Sequence, residues 1–463
     1  MPAFDLSAVL LYVLGVLIIV VGIALSIGLH ELGHLIPAKR FGVRVSQYMI
    51  GFGPTIFSRQ RGETQYGFKA IPLGGYIAMA GMYPPKHVGE KARDASTGFM
   101  QTLVQDAPPP TILAGGMVEQ APNAVNHFGV IVDEPQRSFY NLPIWKRIVI
   151  MMGGPTVNLL IGIVLYAVVL CGFGAPQVST TVGSVSQCVI SASETRTECA
   201  SGDPLAPAAE AGVRPGDRIV SMNGTTITSW DQATALIRKS PGDTISLVVE
   251  RAGTNVALTV TPLLTERYVV DSKSGEVQKN PDGTSKTQDV GFLGIGAATE
   301  VVQQPITAVL PAVGDNIVRV AGIIVNLPQR LVAVANAAFG SGVRDPNGPV
   351  SVVGVGRLAG EIASINTVPV ADRASALIGL VASLNIALFV FNLIPLLPLD
   401  GGHVAGALWE GLRRRLAKLF KRPDPGPVDI GKLLPLTLTV VVILGGMSLL
   451  LVYADIVNPI TIQ

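Results

Sequence analysis

The residues His30-Glu31-Leu32-Gly33-His34 carry a recognisable chemistry in their spacing. Histidines four apart share one face of a helix, so both imidazoles can hold one metal ion. The glutamate between them then becomes a general base for an attacking water, and the metal that suits such hydrolysis is zinc. A catalytic zinc takes a third protein ligand and keeps one position open. The x-x-Gly-x-x-His continuation that supplies it in one protease class is missing, because Pro37 and Arg40 stand where the glycine and histidine would be. Glu63 falls in a polar loop. Asp400, in Asn392-Leu-Ile-Pro-Leu-Leu-Pro-Leu-Asp400-Gly401-Gly402-His403, is the better candidate, with His403 as a rival that reads more readily as a residue behind the ligands. His87 and His127 lie in a polar stretch and read as surface residues.

These groups need elements to position them, and the charge distribution shows where those lie. Of 463 residues, 49% are hydrophobic and 14% charged, against about 25% charged in an ordinary soluble domain. Asp, Glu, Lys and Arg are absent from Leu6 to His30, Ile148 to Ala175, Ala374 to Leu399 and Leu433 to Ala454. Each gap exceeds the roughly 20 residues that cross about 30 Å of hydrocarbon. The expected fold is a polytopic α-helical membrane protein with four transmembrane helices: one within 1–38 carrying the histidine pair, then 148–175, 374–399 and 433–455. The first gap has no basic leader and no small-residue cleavage site, so it reads as a retained span. Ionisable groups at the end of a span are costly and default to function. Pro395, Pro398, Gly401 and Gly402 break the third span beside Asp400, and irregular backbone at that depth must line a cavity or be buried in protein.

Basic residues favour the cytoplasmic side. Lys39, Arg40 and Arg44 follow the first span, Lys146 and Arg147 precede the second, and Arg413, Arg414, Arg415, Lys418, Lys421 and Arg422 follow the third. The 39–147 and 400–432 loops are therefore expected inside, and both termini and the 176–373 segment outside. Cys188 and Cys199 fall in that outer segment, where an oxidising compartment lets them bridge. A net charge of +2 gives no footprint for nucleic acid.

Together these features resemble the site-2 protease family of intramembrane zinc metalloproteases. The histidine pair in a first span and an Asn-x-x-Pro-x-x-Pro-Leu-Asp-Gly motif ending a later one carry the resemblance. So do Gly51-Phe-Gly53-Pro54, Ile71-Pro-Leu-Gly-Gly75-Tyr76, Phe139 to Arg147, Gly153-Gly-Pro-Thr-Val-Asn158, Asn347-Gly-Pro-Val350 and Leu358-Ala-Gly360, in family order. A single outer module is most similar to the actinobacterial regulated intramembrane proteases. The resemblance implies one Zn2+ held by His30, His34 and Asp400, with Glu31 as base and acid. It implies substrate handling by Asn392, and more weakly by Asn385, Asn158, Gly53 and Gly75. It further implies single-span membrane substrates such as trimmed anti-sigma factors. From the residues alone, Asn392 could equally cap a helix before Pro395, and Asn158 could pack a helix crossing.

Between Val45 and Met79, short apolar runs alternate with Gly and Pro. Ile50–Ser58 and Gln65–Ile71 read as strands around a turn at Arg59–Thr64. The family implies a membrane-associated β-hairpin (45–80) near the site, whose strand edge could hold extended substrate. Residues 84–137, with Pro84-Pro85 and Pro108-Pro109-Pro110, read as a flexible insertion.

Outside, Ala208-Ala-Glu-Ala-Gly-Val-Arg-Pro-Gly-Asp-Arg-Ile-Val-Ser-Met-Asn-Gly224 runs from a short helix through a turn and a strand to an Asn-Gly turn. This resembles a PDZ domain over 178–262, with Trp230–Arg238 as second helix and a cysteine-containing insertion at 186–207. Such a domain binds peptide ends and would admit trimmed substrates. A connector at 263–373 carries helical spacing from Pro305 to Phe339, expected on the outer membrane surface or against the spans.

Two other function classes fit parts of the pattern. A catalytically silent adaptor that binds peptides through its PDZ domain would not need His30, Glu31, His34 and Asp400. A zinc transporter would show internal repeats, and these spans show none.

Overall fold

The computed structural model describes residues 6–84, 93–97, 137–191, 194, 196, 198–270, 277–281, 283–340, 342, 344–345, 348–428 and 433–460. The expected flexible insertion therefore falls mostly outside the described residues, as do His87, His127 and Asn347. The chain divides into two compact units, Met1–Phe173 with Gln304–Gln463, and Gly174–Gln303.

In the first unit, α1 (Leu6–Arg40) is followed by β1 (Val45–Arg61), β2 (Thr64–Tyr83) and β3 (Arg93–Ser96). Then comes α2 (Ile144–Ala167), extended by a π-helical turn at Val168–Phe173. The backbones of α1 and α2 touch. A Cβ on Gly33 would lie 2.4 Å from the Gly153 carbonyl oxygen, and one on Gly153 would lie 2.0 Å from that of Gly33. Small residues at a crossing allow this approach between helices that have no aqueous hydrophobic drive to associate.

The hairpin is longer than expected and has a third strand. β2 bends around β1, so that Ile50 opposes Phe68 on one side and Gly75 on the other. Its turn is tight, at Gly62 and Glu63. β3 adds to the far edge of β2, with Ala78 opposite Ser96 and Met79 opposite Ala95. Arg93–Ser96, inside the insertion expected to be flexible, pairs as a strand, because backbone pairing to a strand edge needs no hydrophobic periodicity. Val45, Ile77, Met79 and Met82 pack with Leu35 and Ala38 of α1 and Ile150 and Met151 of α2, fixing the sheet to the ends of both helices.

The second unit contains β4 (Ala175–Val185), α3 (Pro207–Glu210), β5 (Arg218–Met222), β6 (Thr225–Thr226), α4 (Trp230–Lys239), β7 (Ile245–Arg251), β8 (Thr254–Val260), β9 (Leu263–Tyr268), β10 (Thr287–Phe292) and β11 (Ile295–Val302). The main sheet runs β11-β4-β5-β7-β8, with β6 on β5 and a separate β9-β10 ladder. Ile219, Leu247 and Val249 form its core with Ala233 and Ile237 of α4. The Asn223-Gly224 turn has φ of 47° and 76°, the left-handed pair a tight hairpin needs. Ser229 caps α4 by accepting from the Gln232 amide. The expected boundary at 262 is too short. β11 ladders with β4 from Ile295–Val185 to Val302–Ala175, so residues 263–303 belong to this unit and not to a connector. The sulfurs of Cys188 and Cys199 are bonded, with Cα atoms 5.9 Å apart.

The first unit resumes with α5 (Val309–Val325), α6 (Leu327–Phe339), α7 (Val352–Ser364), α8 (Val370–Asn392), α9 (Asp400–Leu419) and α10 (Leu434–Val457). Among the described residues five helices are long and apolar enough to cross a membrane. Four match the charge gaps and the fifth is Ile306–Val325. Asp315 and Arg319 interrupt that fifth run, which is why it reads as amphipathic in the sequence. Its first half packs on α2 and α8 through Val309 and Val313, and Asn316 donates to the Tyr166 hydroxyl at 2.7 Å. Residues 400–419, expected within a basic loop, form α9. Asp400 in its first turn complements the helix dipole, and Glu410 anchors it through a buried ion pair with Arg147 of α2 at 2.6 Å.

Candidate metal centre

Three elements meet around one point. α1 presents His30 and His34 on one face, and the start of α9 presents Asp400. The Ile150–Asn158 stretch of α2 closes the third side. The three side chains are buried, and among the described residues they form the group whose atoms could hold one metal ion. His30 Nε2 lies 3.2 Å from His34 Nε2, and each lies 3.3 Å from Asp400 Oδ2. Ligands about 2.0–2.1 Å from a tetrahedral zinc stand roughly 3.3 Å apart, so the three separations fit one face of that tetrahedron. Asp400 Oδ2 has no hydrogen-bond partner although it is buried, as expected of an atom reserved for a cation.

The surrounding groups hold the imidazoles with Nε2 facing inward. His34 Nδ1 lies 2.7 Å from the Ile150 carbonyl oxygen and donates to it, leaving Nε2 as the free base. Asn158 Nδ2 lies 3.1 Å from His30 Nδ1, and Asn158 Oδ1 is buried with no partner. One turn before Asn158, Gly154 makes room for both rings. A Cβ there would sit 2.3 Å from His34 Nε2 and 2.7 Å from His30 Nε2.

Glu31 lies beside this group, only 5% exposed, and its Oε2 accepts the Thr97 hydroxyl at 2.9 Å. The strand holding Gly75 passes directly over it. A Cβ on Gly75 would come within 2.9 Å of Glu31 Cγ. Tyr48 donates to the Gly28 carbonyl at 2.7 Å, tying β1 to α1. Burial, with the Glu31 carboxylate nearby, pushes its hydroxyl up to about 12, so it stays a donor.

The other candidate residues fall elsewhere. His403 is buried beside Tyr83, with ring centroids 6.4 Å apart, and stands outside the three-ligand group. Glu63 is committed to Arg137, which holds its carboxyl below the usual range. Asn385 donates to Ser26 Oγ, one turn before His30, and ties α8 to α1. Asn392 is half-buried at the last residue of α8. Gly53 has a φ of 84°, and the nearest atom to a Cβ there is Ile71 Cδ1 at 3.9 Å, so it shapes the hairpin. Sequence reasoning missed Gly154, Tyr48 and Thr97. Gly154 was findable from its one-turn spacing to Asn158, whereas Thr97 carries no signal in its own segment.

Comparison with known proteins agrees with this geometry. The family model for peptidase family M50 matches residues 18–422. The chain is 33% identical over 460 residues to the zinc metalloprotease Rip1 of Mycobacterium tuberculosis, covering 97% of this chain and 99% of that one. It is 31% identical to Rip1 of Mycolicibacterium smegmatis over 98% of this chain and 100% of the relative. Metalloprotease MmpA of Caulobacter vibrioides is 30% identical over 88% of this chain and 86% of its own. With the match running from inside the first span past the helix that begins at Asp400, the chain belongs to peptidase family M50, the site-2 protease family of intramembrane zinc metalloproteases.

Proposed function

We propose that this multi-pass membrane protein is an endopeptidase that cuts within the transmembrane segments of single-span proteins, such as anti-sigma factors already trimmed outside. The observation that carries the reading is the tetrahedral spacing of His30, His34 and Asp400 with Glu31 alongside, the histidines and Glu31 on a membrane-length helix and Asp400 at the start of α9. In this reading His30, His34 and Asp400 hold the zinc. When bound, the metal supplies Lewis acidity toward the scissile carbonyl and toward water. Glu31 takes the proton of the attacking water and returns it to the leaving amine. Asn158 stands with its Nδ2 at His30 Nδ1; we assign the amide the other way round, because with its oxygen at the ring it accepts the His30 Nδ1 proton and fixes the tautomer whose Nε2 is free. The Ile150 carbonyl does the same for His34. Asn392, eight residues before Asp400, handles the substrate backbone.

A transmembrane helix hides its peptide bonds in its own hydrogen bonds, so the substrate must open before it is cut. The sheet beside Glu31 suits an extended chain. The Gly174–Gln303 unit is read as a PDZ domain that takes a peptide end of the substrate. The flanking basic residues support a centre near the cytoplasmic face of the plasma membrane, with both termini and that unit outside.

The test is cleavage of a single-span substrate lacking its outer domain by the detergent-purified protein, with and without a chelator. Wild type should cut only without chelator, and Glu31→Gln should not cut at all. Equal cutting by both proteins would remove the mechanism.

A further inference from the structure

The Thr97 hydroxyl at Glu31 belongs to a strand, and that strand occupies a place of its own. Thr97 continues β3 by one residue. Its N–H donates to the Ile77 carbonyl at 3.1 Å, and its Oγ1 accepts the Ile77 N–H at 3.0 Å. Ala78 opposite Ser96 and Met79 opposite Ala95 continue the ladder. An extended segment thus lies antiparallel along the outer edge of β2, and its last residue touches the Glu31 carboxylate. Two residues before Ile77, Gly75 brings the same strand onto Glu31.

These are the terms on which an extended substrate would have to bind. A strand edge supplies unpaired N–H and C=O groups to an incoming chain. The register of the edge decides which residue reaches the base. Here the chain's own backbone fills that edge, and Glu31, which Thr97 touches, is left 5% exposed. No peptide bond can reach a carboxylate closed in this way unless something leaves. Among the described residues β3 ladders with β2 alone, and an incoming strand can take over that edge.

We propose that Arg93–Thr97 is a self-bound strand in the seat of the extended substrate, and that substrate displaces it from the Ile77–Met79 edge to reach Glu31. This rests on the protease reading above. The strand lowers apparent substrate affinity by the fraction of time it fills the seat. It also sets the register: the substrate residue that pairs with Ile77 lies at the base. The competing role, in which Thr97 positions Glu31 for catalysis, has the opposite sign on removal.

The experiment uses the full chain with Cys171→Ser, to remove the free thiol. Ala78→Cys and Ser96→Cys, which face each other in the ladder, are then introduced and oxidised. The locked protein should lose cleavage of the single-span substrate, and reductant should restore it. Single-cysteine controls under the same treatment should be unaffected. Saturating substrate, added to the same pair in a Glu31→Gln background, should slow formation of the cross-link. Separately, Thr97→Val should lower KM several-fold with kcat held. The proposal falls if the oxidised pair cuts as fast as the reduced one, if substrate leaves the cross-linking rate unchanged, or if Thr97→Val lowers kcat. Wild type that cuts in a chelator-sensitive way while the lock has no effect removes this proposal alone. Wild type that does not cut removes the protease reading with it.

Discussion

Gly154→Ala separates the local preferences of a helix from the needs of the site it carries. Gly154 lies within α2, where alanine is the better helix former by about 1 kcal/mol. On backbone grounds the substitution should therefore stabilise. The added Cβ, however, would lie 2.3 Å from His34 Nε2 and 2.7 Å from His30 Nε2. Non-bonded heavy atoms settle near about 3.5 Å, so His34 would have to retreat by roughly 1 Å. Its Nδ1 is fixed at 2.7 Å from the Ile150 carbonyl, so the ring cannot slide without breaking that bond. A displacement of about 1 Å at reacting groups costs on the order of 10²-fold in rate. The expected outcome is a folded protein with lowered zinc content and a cleavage rate down by about that order. Zinc is read by metal analysis after dialysis and cleavage on a single-span substrate. Gly446→Ala in α10, where a Cβ would meet nothing within 4 Å, is the control and should change neither. If Gly154→Ala keeps full zinc and wild-type turnover, the packing of the imidazoles against α2 is wrong.

Asn158→Ala should weaken zinc about 10- to 100-fold in chelator competition, and Asn158→Asp, which keeps an acceptor for His30 Nδ1, should recover much of it. Glu410→Met leaves the buried Arg147 guanidinium without its carboxylate and should cost about 3–5 kcal/mol, read as a lower thermal midpoint in detergent. The double change Arg147→Met with Glu410→Met should cost less. In the second unit, Arg251 and the Arg214 N–H hold the Asp217 carboxyl below its usual range. The folded value lies below the unfolded one, about 3.9. That stability is complete above pH ~4 and is lost as pH falls through the folded value. Amide protection in β5 and β7 should drop over that window, and Asp217→Asn should abolish the pH step.

The residues proposed for the chemistry were legible because each is costly where it stands. His30, Glu31 and His34 end a charge-free run, and Asp400 ends another. The spans were legible for the same reason. Ile306–Val325 was obscured by Asp315 and Arg319, because one-dimensional charge counting cannot see which face of a helix is turned to its neighbours. The extent of the second unit was hidden for a related reason. β11 pairs with β4 across more than 100 residues, and no local pattern announces a partner so distant. Thr97 is brought to Glu31 by strand pairing across β2, and the pattern of its own segment does not announce that pairing.

The central claim is that one zinc sits on His30, His34 and Asp400 while Glu31 does chemistry without holding it. Zinc stoichiometry measured side by side on wild type, Glu31→Gln and Asp400→Ala tests it most directly. About one zinc per chain is expected in wild type and in an inactive Glu31→Gln, and little in Asp400→Ala. Full zinc in Asp400→Ala would contradict it and point to His403 in its place.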